Sequence, residues 1–189
     1  MEVTLRELAT AGHGMLFGGF FLMAVFGVVV ELARSAHEKE ASQLTARGRS
    51  LERAYLVATA ALGWAAVLLG AYVVYPWYRV VPPPGTTDLA LYPQRLLQSS
   101  ATTSGWHSLG MEWKEHVAWF APIAMTMVAW LLPRYRGNLK YYPGVKRAVL
   151  VFTITALLAG GVAGVFGAML DKNAPVKGGG TVTLMGGAK

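Results

Sequence analysis

Four long stretches of mostly apolar residues dominate the chain, and polar, charged segments separate them. These stretches cover residues 11–33, 54–75, 116–132 and 148–170, and the third can extend backwards over 106–115. A helix needs roughly 20 such residues to cross a hydrocarbon core about 30 Å thick. The pattern therefore predicts an all-α integral membrane protein, a bundle of four transmembrane helices forming one domain over residues 1–189.

The composition supports this prediction, because 54% of the residues are hydrophobic, only 14% are charged, and the mean hydropathy is +0.40. Soluble domains carry nearer a quarter charged residues. The net charge of +7 does not indicate a nucleic-acid partner, since the basic residues sit in short segments beside the spans. In membrane proteins, Lys and Arg at these positions set the orientation in the bilayer.

The distribution of basic residues predicts which side of the membrane each connection occupies. Ten of them belong to the two short connections after spans one and three: Arg34, Lys39, Arg47, Arg49, Arg53, Arg134, Arg136, Lys140, Lys146 and Arg147. The other side holds seven, spread over a longer length of chain. We therefore predict a multi-pass protein of a prokaryotic inner (cytoplasmic) membrane, with both termini and the long connection 76–114 outside.

The polar segments predict partners and one ion pair. The outer-face connection 76–114 contains three consecutive prolines, 82–84, and connections this long are usually functional or held by a partner. The glycine-rich tail 171–189 has no apolar face, so we expect it to be flexible or ordered only by other subunits. Those partners include an outer-face cytochrome c or redox subunit. Glu31, at the bilayer edge, is expected to pair with a nearby arginine or to reach water.

Two histidines carry the main functional prediction. His13 and His116 lie near the starting ends of spans one and three, which run in the same direction and so place both rings near the outer face. Two neutral imidazoles from facing helices can hold one haem b iron. Glycines beside His13 leave room for a flat macrocycle, although Gly14 and Gly18 also form a small-xxx-small face suited to helix packing.

Other polar residues around His116 leave alternatives open. Glu112 lies four residues before it, on the same helical face, and could orient its imidazole. His107 could replace His116 as the second haem ligand. Without haem, His116 with Glu112 and Glu115 could form a quinone-headgroup or proton-relay site. Finally, both His13 and His116 could be interfacial residues that hydrogen-bond to headgroups or backbone.

Several classes of site and function are excluded or disfavoured. The absence of cysteine excludes disulfides, iron–sulfur clusters and CxxCH haem attachment. A zinc site is disfavoured because Glu112, His116 and His13 supply three clear ligands and no further carboxylate helix. A second bis-histidine haem is not expected, since His37 has no histidine opposite it. A transporter is disfavoured because the spans show no repeat and no broken helix.

The architecture resembles, in a general way, the small haem b membrane subunits of respiratory oxidoreductases. This resemblance and the histidine pair predict a membrane subunit of a respiratory or photosynthetic electron-transfer complex, rather than an enzyme alone. Such a subunit would pass electrons between an outer-face partner and quinone or another cofactor. The alternative is a non-catalytic scaffold that uses its glycine faces, long connection and tail to join a larger complex.

Overall fold

The computed structural model describes residues 2–37 and 45–184 and consists mainly of long helices. The helices are α1 (Leu5–Ala11, Gly12–Gly19 and Phe20–His37), α2 (Ala46–Leu69, Gly70–Val74 and Tyr75–Tyr78), α3 (Pro93–Gln98), α4 (Ala101–Glu112, Trp113–Val117, Phe120–Tyr135 and Arg136–Tyr141) and α5 (Pro143–Asn173). Two short strands, β1 (Glu2–Thr4) and β2 (Thr181–Thr183), pair antiparallel. The side chain of His37, Lys39 in the first short connection and residues 185–189 of the tail lie outside the described part.

Four of these helices, α1, α2, α4 and α5, are long and apolar enough to cross a membrane, which confirms the predicted four-helix membrane bundle. Both α1 and α4 pack against α2 and against α5. We call the end that carries β1, β2 and the connection 79–100 the terminal end. The opposite end, where α1 ends, α2 begins and α4 turns into α5, is the basic end.

The third span is longer than its apolar stretch predicts. Helix α4 begins at Ala101, behind the N-cap residue Ser100, so the connection between the second and third spans is 79–100 rather than 76–114. The segment 101–115 contains no proline and continues the helix as a polar extension. A π-helical turn, Trp113–Val117, precedes Pro122. Pro122 has no amide proton and so cannot donate to the Ala118 carbonyl, as a residue of a regular α-helix would. The Ala121 amide donates to that carbonyl in its place.

The centre of the bundle is closely packed around aromatic and branched side chains. Val25, Met125 and Val128 are fully buried there. Phe21 of α1 lies against two glycines, because a Cβ built on Gly63 would lie 2.7 Å from its ring and one on Gly160 would lie 3.0 Å from it. These glycines allow α2 and α5 to approach α1 closely, as expected for helices that associate through van der Waals packing in lipid.

A second apolar cluster closes the terminal end, and we call it the cap. It consists of Tyr78, Leu97, Met111, Leu170, Ala174 and Val176. Its members come from α2, α3, α4, α5 and the residues after α5, so the long connection and the tail share an apolar core that their sequences did not reveal. The part of the predicted flexible tail described here, through Leu184, packs on the bundle and ends in the β1–β2 pair.

Three charged residues join the helices at the basic end. The Arg136 guanidinium, at the end of α4, forms a hydrogen bond with the Glu31 carboxylate of α1, which confirms the expected pairing of Glu31 with an arginine. Its Nη1 also lies 2.9 Å from Glu52 Oε1 of α2, at an angle that makes this contact electrostatic rather than a hydrogen bond. Three of the four long helices are thus connected through one side chain.

Candidate functional site at the terminal end

His13 lies half-buried against α2, within a π-helical segment of α1. Its Nδ1 lies 2.7 Å from the carbonyl oxygen of Ala66. The ring edge faces Gly70, where a Cβ would lie 2.6 Å from the ring atom Cε1, so only glycine leaves room for the imidazole. Gly70 opens a π-helical segment of its own. The glycine that accommodates His13 is therefore on α2, whereas the neighbours Gly12 and Gly14 face open space.

His116 has a different environment, on the exposed side of α4. Its side chain is 68% exposed, and its Nδ1 lies 3.1 Å from the Glu112 carbonyl oxygen and 3.3 Å from the Glu112 carboxylate. The predicted contact between Glu112 and His116, one helical turn apart, is present. The π-helical segment Trp113–Val117 contains His116, so His13 and His116 both lie in wide helical turns, which often occur at functional sites.

Lys114, rather than His116, points from α4 towards the bundle interior. Its Nζ lies 3.1 Å from the position that a Cβ of Gly167 on α5 would take. His13 of α1 and Asp171 of α5 are close enough to interact electrostatically with its ammonium group. A charged group at membrane depth is costly unless it has a partner, so Lys114 belongs with the polar residues of this end. The sequence prediction missed it.

The hydrogen bonds of His13 and His116 determine which ring nitrogen carries the proton. A carbonyl oxygen can only accept, so Nδ1 donates in both rings and the lone pair of the neutral imidazole is on Nε2. This is the tautomer that metal-bound histidines commonly have when a carbonyl orients them. The donor chemistry thus fits a haem iron. The space does not, because Nε2 of His13 is 3.1 Å from the Cβ position of Gly70.

A polar cleft of about 310 Å³ opens between the terminal ends of α2 and α4. Its lining residues are Tyr75, Tyr78, Arg79, Gln94, His107, Ser108, Met111, Glu112 and Glu115. The members from α4 recur at intervals of three and four residues, so they share one helical face. We call this the terminal cleft. It contains three of the predicted site residues, His107, Glu112 and Glu115, whereas His13 and His116 do not line it.

Two hydrogen-bonded groups join α2 to α4 at the terminal cleft. In the first, Arg79 Nη1 donates to Tyr75 Oη at 2.9 Å, and Tyr75 Oη donates to Glu115 Oε1 at 2.7 Å. In the second, Tyr78 Oη lies 2.7 Å from His107 Nδ1, and the two rings stack with centroids 6.0 Å apart. The cleft therefore combines flat ring surfaces, a guanidinium and carboxylates, a set that can hold a polar ring and exchange protons with it.

The tyrosines that line the terminal cleft, and Arg79, were not among the candidate site residues predicted from the sequence. The signal that could have found them is spacing, since Tyr75 and Arg79 are one helical turn apart and Tyr78 lies between them. Within the described residues, no group of three or more His, Asp or Glu side chains is arranged to hold a metal ion. Comparison with protein-family models, with curated proteins and with solved structures found no match for this chain.

Proposed function

We propose that this protein is a membrane subunit of an electron-transfer complex and that its terminal cleft binds the headgroup of a quinone-class carrier. The observation that carries the proposal is the pairing, in one cleft of about 310 Å³, of the Tyr75–Glu115 and Tyr78–His107 hydrogen bonds. That volume is at the lower end of the range for small-molecule sites, about 300–1,000 Å³.

The chemistry of a quinone matches the groups in the terminal cleft. A quinone headgroup is a flat ring with two carbonyl oxygens, which accept hydrogen bonds when oxidised and carry protons when reduced. The stacked rings of Tyr78 and His107 offer a flat surface beside which such a ring can lie. Arg79, the tyrosine hydroxyls and His107 supply donors, so each carbonyl oxygen can find a partner within the cleft.

Protons can leave or enter the terminal cleft through its carboxylates. Reduction of a quinone to a quinol takes two electrons and two protons. Glu115 accepts a hydrogen bond from Tyr75, and Glu112 and Glu115 both line the cleft and are exposed, so this pair can connect the headgroup with water. The electrons come from a partner redox subunit. The residues of this chain hold the headgroup and pass its protons.

Quenching of tryptophan fluorescence tests this proposal. Trp77 and Trp106 pack on the cap, which shares Tyr78 and Met111 with the terminal cleft, and a bound electron-poor quinone quenches nearby indoles. The purified protein in detergent is titrated with a short-chain benzoquinone and a short-chain naphthoquinone. We expect saturable quenching by at least one of them, with affinity weakened about tenfold in His107→Ala and in Glu115→Gln. A tenfold loss corresponds to about 1.4 kcal/mol, at the upper end of the range of about 0.5–1.5 kcal/mol for one hydrogen bond.

Matched controls separate the terminal cleft from its surroundings. His116→Ala removes a histidine that does not line the cleft, and Asp88→Asn removes an exposed carboxylate of the connection 79–100. Both should bind quinone like the wild type. Quenching that does not saturate would contradict the proposal. So would quenching that is the same in the wild type, in the two cleft variants and in the two control variants.

Haem b ligation by His13 and His116 is a second candidate, because the shared tautomer leaves Nε2 of both rings as the ligating atom. It requires His13 to turn away from Gly70, since no iron fits between them in this arrangement. When bound, a haem would supply one-electron transfer. A reduced-minus-oxidised absorption spectrum tests this candidate. A b-type spectrum lost in His13→Ala and in His116→Ala, and kept in His107→Ala, would support it. If the protein showed neither haem absorbance nor saturable quinone binding, both proposals would fail and the non-catalytic scaffold function would take their place.

A further inference from the structure

A second cleft, of about 360 Å³, lies at the basic end between α2 and α4. Its lining residues are Arg53, Val57, Ala129, Pro133 and Arg134. Arg53 and Val57 are one turn apart on α2, and Ala129 and Pro133 are one turn apart on α4, so each helix contributes one face. The cleft thus combines an apolar surface with two arginine side chains. We call it the basic cleft.

The Arg134 side chain is held in position beside the basic cleft. Its Nη1 donates to the Trp130 carbonyl oxygen at 2.9 Å, and its guanidinium carbon lies 4.5 Å from the centroid of the Trp130 ring. A guanidinium fixed in this way loses little conformational freedom when it binds a ligand. Trp130 is half exposed, as expected for a tryptophan in the interfacial region of a bilayer.

The charge of the basic cleft is not balanced by its own lining, since no carboxylate is among its five described lining residues. The nearest acidic neighbour in the chain, Glu52, makes its contact with Arg136 on the side of the three-helix ion group. Two arginines above an apolar groove are complementary to a molecule with an anionic head and a hydrocarbon tail. The positive-inside prediction places this end in the cytoplasmic leaflet, where anionic lipids concentrate.

We propose that the basic cleft binds one anionic phospholipid, with its phosphate between Arg53 and Arg134 and an acyl chain along Val57 and Ala129. Guanidinium groups bind phosphate oxygens through paired, charge-assisted hydrogen bonds. Free phosphate would bind the same guanidinium groups, but it has no hydrocarbon chain and would leave the apolar side chains of the basic cleft uncovered. This site is independent of the terminal cleft, which lies at the other end of the bundle.

Native mass spectrometry of the purified full chain tests the proposal. The detergent-solubilised protein is mixed with phosphatidylglycerol, with phosphatidylcholine of the same acyl chains, or with inorganic phosphate. We expect one phosphatidylglycerol to be retained in preference to phosphatidylcholine. The double variant Arg53→Gln/Arg134→Gln should lose about 25-fold in affinity for phosphatidylglycerol, since each arginine near a membrane surface contributes about a fivefold factor.

Two further variants make the result specific. Arg147→Gln removes an exposed arginine at the same end, outside the basic cleft, and should keep the wild-type preference. Arg53→Lys/Arg134→Lys keeps both charges and should retain most of the binding, and its helical circular dichroism should match that of the glutamine variant.

Three results would overturn the proposal. One is an unchanged lipid preference in the double glutamine variant. Another is an equal loss in Arg147→Gln, which would indicate a diffuse surface charge. The third is equal binding of inorganic phosphate and phosphatidylglycerol at the same concentration, which would indicate a phosphate site without a lipid.

Discussion

Replacing Arg136 by methionine should destabilise the bundle, because this side chain connects α1, α2 and α4. Methionine fills a similar volume but removes the charge that holds two carboxylates. The Arg136 side chain is 21% exposed, that of Glu52 is 14% exposed, and that of Glu31 is 45% exposed. The substitution leaves one carboxylate nearly buried without its cation and the other partly in water.

The exposure of these side chains sets the expected magnitude. Breaking a fully buried ion pair from one side costs about 3–5 kcal/mol, whereas an exposed pair contributes about 0–1 kcal/mol. The Glu52 contact is close to the first case and the Glu31 contact is between the two. We therefore expect Arg136→Met to lower the free energy of unfolding by about 2–4 kcal/mol, a value that follows from these ranges.

Equilibrium unfolding of the purified protein in mixed micelles, followed by circular dichroism, measures this change. Arg147→Met is the matched control, because it removes an exposed arginine from the same end. Glu52→Gln should recover part of the loss in the Arg136→Met background, since it removes the carboxylate that was left without a partner. A loss below about 0.5 kcal/mol, within the usual range for surface substitutions, would refute the assigned role of Arg136.

Three further predictions address other parts of the molecule. Gly70→Ala should displace the His13 imidazole, because the added Cβ would lie 2.6 Å from it. The substitution should lower the free energy of unfolding by about 1–3 kcal/mol, whereas Gly12→Ala meets open space and should be neutral. Cysteines introduced at Ser42 and Thr87 should be labelled from opposite sides of intact membranes; labelling from one side would contradict the topology. Leu97→Ala, at a position 1% exposed, should loosen the cap by about 2–5 kcal/mol and speed proteolysis in the connection 79–100.

The length and apolarity of the spans could be predicted from the sequence, because any helix that crosses a bilayer must be long enough and apolar enough to do so. The beginning of α4 at Ala101 could not be predicted, since the first turns of this helix are polar and do not look like part of a membrane span. The cap was missed for a related reason. Its members Leu97, Ala174 and Val176 belong to short, mostly polar segments, and no hydrophobic periodicity in these segments predicts that the three residues meet.

The candidate site, like the fold, could be predicted from the sequence only in part. The sequence gives the position of each candidate residue along its span, but not the direction of its side chain. The π-helical turn Trp113–Val117 changes which residue of α4 points inward, and Lys114 takes the position that regular spacing could not assign. The terminal cleft depends on contacts between residues far apart in sequence, such as Tyr78 with His107, which local patterns do not contain.

The pairing of β1 with β2 has a consequence for the order of assembly. Glu2 lies opposite Thr183 and Thr4 opposite Thr181, so a segment that precedes all four spans has its partner in a segment that follows them. During synthesis, β1 must wait on its side of the membrane until α5 has crossed and the residues after it have followed. Closure of this two-stranded ribbon therefore signals that all four spans have been inserted. An antibody or protease that recognises unpaired Glu2–Thr4 would distinguish chains still in assembly from finished ones.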